Sequence, residues 1–182
     1  YGIGGAGYVC HTINPRIFPE QIIFIINHSE DKWIFTDPMF VPLLEKIAEH
    51  TPGVEGYVVM TNDENMPETT LKNVVSYESL IGVESSEYEW PELDERSAVG
   101  LCYTSGTTGD PKGVLYSHRS TILHAYAGIA PDVMNLSNRD CVLPVVPLFH
   151  VNAWGLPYVS TMTGAKQVFP GPHMDAESLL KV

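Results

Sequence analysis

Residues 103–118 read YTSGTTGDPKGVLYSH, and the way this string sits between two apolar runs decides how the chain folds. The run before it, AVGLCY at 98–103, and the run after the lysine, GVLYS at 113–117, each have the length and composition of a strand. Between them, Ser105, Gly106, Thr107, Thr108 and Gly109 follow Thr104 with little bulk and many donors. Gly106 and Gly109 let the backbone turn sharply and let a ligand approach its N–H groups. Successive N–H groups in such a turn form a concavity that binds anions. The hydroxyls of Thr104, Ser105, Thr107 and Thr108 add donors, and Lys112 adds a compact positive charge suited to phosphate oxygens. Pro111 restricts the chain beside the lysine. The segment is a phosphate cradle held between two strands.

Two other readings of the loop fail. Flexible linkers share its Gly, Ser and Thr content, but a low-complexity linker is not bracketed by apolar strands and carries no Pro-Lys-Gly. A Walker A loop has the order G-x-x-x-x-G-K-[ST] and opens a helix. Here the lysine follows Pro111, Val114 stands after Gly113, and the loop feeds a strand.

The rest of the chain supplies alternating elements. Residues 19–28 read as a short helix opening on Pro19, although IIFII within it also suits a buried strand. Residues 32–36 form a strand. Asp37 and Pro38 open a helix whose apolar face is Phe40, Leu43, Leu44, Ile47 and Ala48. Pro52-Gly53 ends it, and residues 56–60 are the next strand. The stretch 61–97 holds 10 of the 22 acidic residues, a solvated connection with a short helix at 77–81. Beyond the motif come a helix at 118–130 with Ile122, Leu123, Tyr126 and Ile129 on one face, a strand at 141–146, a helix at 154–163, a strand at 166–169 and a helix from Asp175. Strands alternating with helices predict an α/β fold: layered, largely parallel sheets flanked by helices. Gly2, Gly4 and Gly7 match GxGxxG in form, but no strand precedes them, so a turn or a close helix crossing is expected.

Composition sets bounds. The chain has 182 residues, 44% hydrophobic and 18% charged, the balance of a folded globular domain. A net charge of -12 argues against broad binding to nucleic acid or an anionic membrane. No apolar run approaches the roughly 20 residues of a membrane span, and no signal peptide is recognisable. The three cysteines form no metal spacing. Cys102 and Cys141 lie in apolar runs and are expected to be buried, reduced core residues, which suits a cytoplasmic setting. His150 and Trp154 are four apart and would share a helix face. The residues alone leave open whether they are packed core aromatics or a functional pair. His118 and His124 read as helix-end or surface residues.

The string YTSGTTGDPKGV resembles the phosphate-binding signature of the adenylate-forming enzymes: acyl-CoA synthetases, luciferases and peptide-synthetase adenylation domains. VVPLFHVNAWGLPYV at 145–159 resembles the family segment that lines the acyl and adenylate pocket. CHTINPRIFPEQIIFIINHSEDKWIFTD at 10–37 is similar to the bacterial long- and medium-chain fatty acyl-CoA synthetases. The resemblance covers nearly the whole chain. It implies ATP-dependent activation of a fatty acid to acyl-AMP, then transfer to coenzyme A. The alternatives are a ligase for another carboxylate, such as an aryl acid, and a non-catalytic nucleotide-binding domain of the same fold.

The resemblance also assigns roles. Thr104, Ser105, Gly106, Thr107, Thr108, Gly109 and Lys112 would hold the ATP phosphates, with the Thr104 hydroxyl on Mg²⁺. His150 would border the acyl group, Val151 the nucleotide, and Trp154 would gate the fatty-acid tunnel; when no nucleotide is bound it would be packed closed or poorly ordered, near His150 and not pointing into solvent. The family's downstream glutamate, ribose and lysine blocks are not in these residues. The resemblance therefore implies that 1–182 is part of the large N-terminal domain without the small C-terminal domain, inactive by itself. It leaves a homodimer open for the full-length protein.

Overall fold

Ala98–Tyr103 is a strand, and Gly113–Ser117 is its antiparallel partner. A computed structural model describes residues 1–104, 110–171 and 174–181. In chain order the strands are β1 (Cys10–His11), β2 (Trp33–Thr36), β3 (Gly56–Val59), β4 (Val74–Ser76), β5 (Ala98–Tyr103), β6 (Gly113–Ser117), β7 (Cys141–Val142) and β8 (Lys166–Gln167). Among the described residues they form three sheets, ordered β1-β5-β6, β2-β3-β4 and β7-β8. Every pair is parallel except β5 with β6. The fold is α/β as expected, and its one antiparallel pair is the hairpin that carries the loop.

The chain divides into two units. The unit of residues 14–89 and 106–111 is built on β2-β3-β4. β3 lies in the middle and all four of its residues are buried, as a strand covered on both faces requires. The isoleucine-rich segment is a helix, Pro19–Ser29, with Pro19 at its first position. Ile22, Ile25 and Ile26 are its buried residues, three and four apart on one face. Residues 38–50 form a 3₁₀ turn (Pro38–Phe40), an α-helix (Val41–Ile47) and a second 3₁₀ turn (Ala48–His50). The tighter first turn shifts the phase, so the buried face is Val41, Leu44 and Ile47, and Phe40 and Leu43 are half-buried. Burying each such side chain is worth about 1.5–3 kcal/mol.

The unit of residues 1–13, 90–105 and 112–182 contains the motif strands. Its first helix, Gly2–Gly5, approaches β5 so closely that a Cβ on Gly4 would lie 2.5 Å from Val99 Cγ2. This is the close approach expected of the glycine run. The helix His118–Ile129 forms where predicted, with Ser117 accepting the Ser120 N–H at its start. Its buried face is not the predicted one. Ala125 and Gly128 are buried, whereas Ile122, Leu123 and Tyr126 are exposed. The helix packs against Leu156–Thr163 through its small residues: a Cβ on Gly128 would meet Val159 Cγ2 at 2.8 Å.

Toward the end of the chain the regular elements are shorter than expected. β7 stops at Val142, ahead of Pro144, which can donate nothing to a ladder. β8 stops at Gln167, and the last helix is Ala176–Leu179, capped by the Asp175 carboxylate on the Ser178 N–H at 3.0 Å. Cys102 is buried as expected, but Cys141 is exposed, because β7 contributes to a sheet of only two strands.

Gly128→Val should test the close crossing. Two methyl groups would have to enter space held by the fully buried Val159, and overpacking of this kind costs about 1–3 kcal/mol. Urea unfolding should show a lower midpoint at an unchanged slope. An unchanged midpoint would mean that the two helices part without cost.

Candidate functional site

The predicted phosphate loop is closed at its base. Thr104 N–H donates to the Lys112 carbonyl at 3.0 Å, and Lys112 N–H reaches the Thr104 hydroxyl oxygen at 3.4 Å. These bonds extend the β5–β6 ladder by one step past the Tyr103–Gly113 pair. Thr104 and Lys112 are both exposed. Among the described residues no carboxylate pairs with the Lys112 ammonium group. Among the described residues nothing takes the Thr104 hydroxyl proton or its second lone pair. Ser105, Gly106, Thr107, Thr108 and Gly109 lie outside the described residues. Among the described residues no cluster of three or more His, Cys, Asp or Glu side chains could hold a metal ion.

The second predicted piece has an unforeseen shape. His150 is in extended backbone, with φ -102° and ψ 95°. The next four residues, Val151, Asn152, Ala153 and Trp154, have φ of 51°, 49°, 51° and 57°, and Gly155 follows at 72°. They make one turn of left-handed helix, held by Ala153 N–H to the His150 carbonyl and Gly155 N–H to the Asn152 carbonyl, each 3.0 Å. The right-handed helix begins only at Leu156. For L-residues this conformation costs about 1–2 kcal/mol each, so the four non-glycine residues store roughly 4–8 kcal/mol. A β-branched residue such as Val151 is rarely found there. Gly155 is the position that only glycine fills well. It combines a positive φ with a site where a Cβ would strike His124 Nδ1 at 2.7 Å.

Contacts behind the turn fix it to the sheet. The Cys102 thiol donates to Asn152 Oδ1 at 3.2 Å, and the Thr12 hydroxyl donates to the Leu148 carbonyl at 3.1 Å. Thr12 Oγ1 and Cys102 Sγ are 3.3 Å apart. Cys102 belongs to β5, and Thr12 follows β1 directly. The turn therefore rests on β5 at Cys102, two residues before Thr104. Parallel-sheet proteins place ligands at this carboxyl edge. Burial pushes the Cys10 thiol up, partly offset by the N-terminal charge.

His150, Val151 and Trp154 thus lie on one short segment, and all three are exposed. The expectation that Trp154 packs out of solvent is not met, since its relative exposure is 54%. The turn directs Ala153 inward instead, at 1% exposure. Sequence reading missed Asn152, Cys102 and Thr12. The available signal was Asn152 itself, a residue type enriched in left-handed backbone, as Val, Ala and Trp are not.

Comparison with known proteins gives this geometry its context. The chain belongs to the AMP-binding enzyme family, whose model matches residues 1–182. It is 53% identical over 182 residues to a medium-chain-fatty-acid–CoA ligase of Ectopseudomonas oleovorans, covering 100% of this chain and 33% of that protein. It is 49% identical over 180 residues to a 3-methylmercaptopropionyl-CoA ligase of Ruegeria pomeroyi (strain ATCC 700808 / DSM 15171 / DSS-3), covering 99% and 33%. Among solved structures, the anthranilate CoA ligase AuaEII in complex with anthranoyl-AMP superposes with a TM-score of 0.78 at 25% identity, covering 98% of this chain and 34% of that one. The chain spans about a third of the length of the relatives it matches.

The exposures around the turn predict opposite outcomes for two neighbours. Trp154→Ala removes a ring that is more than half in solvent and should cost well under the ~3–5 kcal/mol of a buried aromatic. Ala153→Val adds volume to a sealed position and should cost about 1–3 kcal/mol. Thermal melts of the two variants should rank Ala153→Val as the less stable, and the reverse order would place Trp154 in the core.

Proposed function

We propose that this chain is part of the large N-terminal domain of an ATP-dependent acid–thiol ligase that activates a fatty acid and transfers the acyl group to coenzyme A. The observation that carries the reading is the closed β5–β6 loop. It presents Thr104 and Lys112 at its base, the ammonium group unpaired among the described residues, just past the end of the strand that seats the turn bearing Val151 and Trp154. Likeness over the whole chain to an enzyme named for medium-chain fatty acids supports it.

In the first half-reaction a carboxylate oxygen of the acid attacks the α-phosphorus of ATP. The bond from that phosphorus to the pyrophosphate oxygen breaks, giving acyl-AMP. In the second, the sulfur of coenzyme A attacks the acyl carbon, AMP leaves, and the thiol proton is released. The difficulty is electrostatic, because acid and triphosphate are both anionic. Lys112 and the N–H groups of the loop, with the hydroxyls of Thr104, Ser105, Thr107 and Thr108 and the open backbone of Gly106 and Gly109, stabilise the charge that moves onto pyrophosphate. Magnesium, when bound, neutralises phosphate charge. The Thr104 hydroxyl fits its habit of taking few protein oxygens along with phosphates and waters. His150 and Val151 border the reacting carboxylate and the nucleotide, and the exposed Trp154 ring forms a movable wall of the acid tunnel.

On this reading the protein acts in the cytoplasm on small molecules, and a homodimer of the full-length protein is compatible with it. Among the described residues no helix is long and apolar enough to cross a membrane. A second reading, a short thioether acid as substrate, is favoured by the 49% identity to the methylmercaptopropionyl enzyme. A panel of acids from three to sixteen carbons, with the thioether acid included, separates the two.

Lys112→Ala in the full-length protein tests the phosphate role. Hydrogen bonds to charged groups are worth about 1.5–3 kcal/mol, so ATP–pyrophosphate exchange should fall about tenfold to a hundredfold with the melting temperature unchanged. Exchange at the parental rate would remove Lys112 from the site.

A further inference from the structure

We propose that Asn152 is a positioning residue: locked by Cys102 of β5, it sets the left-handed turn and so aims Val151 and Trp154. The reading of those two side chains as a wall of the acid site rests on the function proposed above; the positioning itself does not.

Three observations converge on Asn152. It sits second in a run of four non-glycine residues with positive φ, and asparagine is the member of that run suited to such backbone. Its side chain is hydrogen-bonded at one end and lies against the β5 backbone at the other. Oδ1 accepts the thiol proton of Cys102, which is only 4% exposed, and Nδ2 lies over Gly100, where a Cβ would approach to 3.3 Å. Its neighbours on the turn have the reverse character, because Val151 is 44% exposed and Trp154 54%. One anchored amide therefore stands between two free apolar side chains, and the direction of those side chains follows from where the amide is pinned. A thiol is a weak donor, so the contact contributes direction more than stability. Thr12 adds a second tether by holding the Leu148 carbonyl.

The test uses the full-length protein labelled with fluorotryptophan, with the Trp154 fluorine NMR signal assigned by Trp154→Phe. Asn152→Gly keeps the left-handed freedom but removes the amide. It should move or broaden the Trp154 signal, leave those of Trp33 and Trp90 in place, and raise KM for the acid about tenfold with KM for ATP unchanged. Asn152→Asp keeps an acceptor for the thiol and should restore both. Adding Cys102→Ala to Asn152→Gly should bring no further change, the non-additivity of a direct pair. An unmoved Trp154 signal in Asn152→Gly, or fully additive effects of the two substitutions, overturns the proposal. If Asn152→Gly does not fold, Cys102→Ala is read alone, and an unmoved Trp154 signal overturns it equally. A moved signal with unchanged KM for the acid upholds the positioning role and removes Trp154 from the acid site.

Discussion

Strand β5 is hydrogen-bonded on both sides, parallel to β1 and antiparallel to β6, and each consequence of that double pairing reaches the candidate site. Antiparallel pairing with β6 brings Thr104 and Lys112 side by side one step past the last strand pair. Parallel pairing with β1 brings Thr12 beside Cys102. Side chains alternate along a strand, and the contacts of β5 follow that alternation. Val99 receives the helix Gly2–Gly5, while Gly100 and Cys102 both meet Asn152. The face that takes the turn is made of small residues, and a bulkier strand would hold the turn away.

Small side chains do the same work elsewhere in this unit. Gly4 admits Val99, Gly128 admits Val159, and Ala153 is the inward residue of the turn. Close packing is what makes a strained backbone tolerable. Four left-handed residues persist only where the surroundings over-determine them, and here the surroundings are a sealed alanine, a pinned amide and a glycine that alone fits beside His124. The chemical groups carry none of this burden. Lys112, His150 and Trp154 are exposed and free to meet ligands, as expected for functional residues on loops set by a rigid scaffold.

The strands flanking the loop were legible to the residue, 98–103 and 113–117, because each is a short apolar run with a clear stop. The isoleucine-rich helix was legible in place but not free of a strand alternative until its buried face was seen. The face of His118–Ile129 was misread for a physical reason. Periodicity of large apolar residues locates a core only when the partner stands off at ordinary distance, and this helix touches its neighbour through Ala125 and Gly128. The left-handed turn was not legible. No propensity of Val, Ala or Trp favours it, and the period of an apolar face does not distinguish the hand of a helix.

The two halves of the site differ in how sequence encodes them. Phosphate recognition uses backbone donors and one fixed charge, so it demands small residues and a lysine in a set order within a dozen positions. Such a demand leaves a local string that can be read directly. The turn with Val151 and Trp154 is an apolar surface, and any large side chain serves as apolar. What is specific about it is direction, and direction is set from behind by Thr12, Gly100, Cys102 and Asn152, which come from three separate parts of the chain. The loop is therefore written in one place, whereas the turn is written in the fold, and only the packed arrangement brings its terms together.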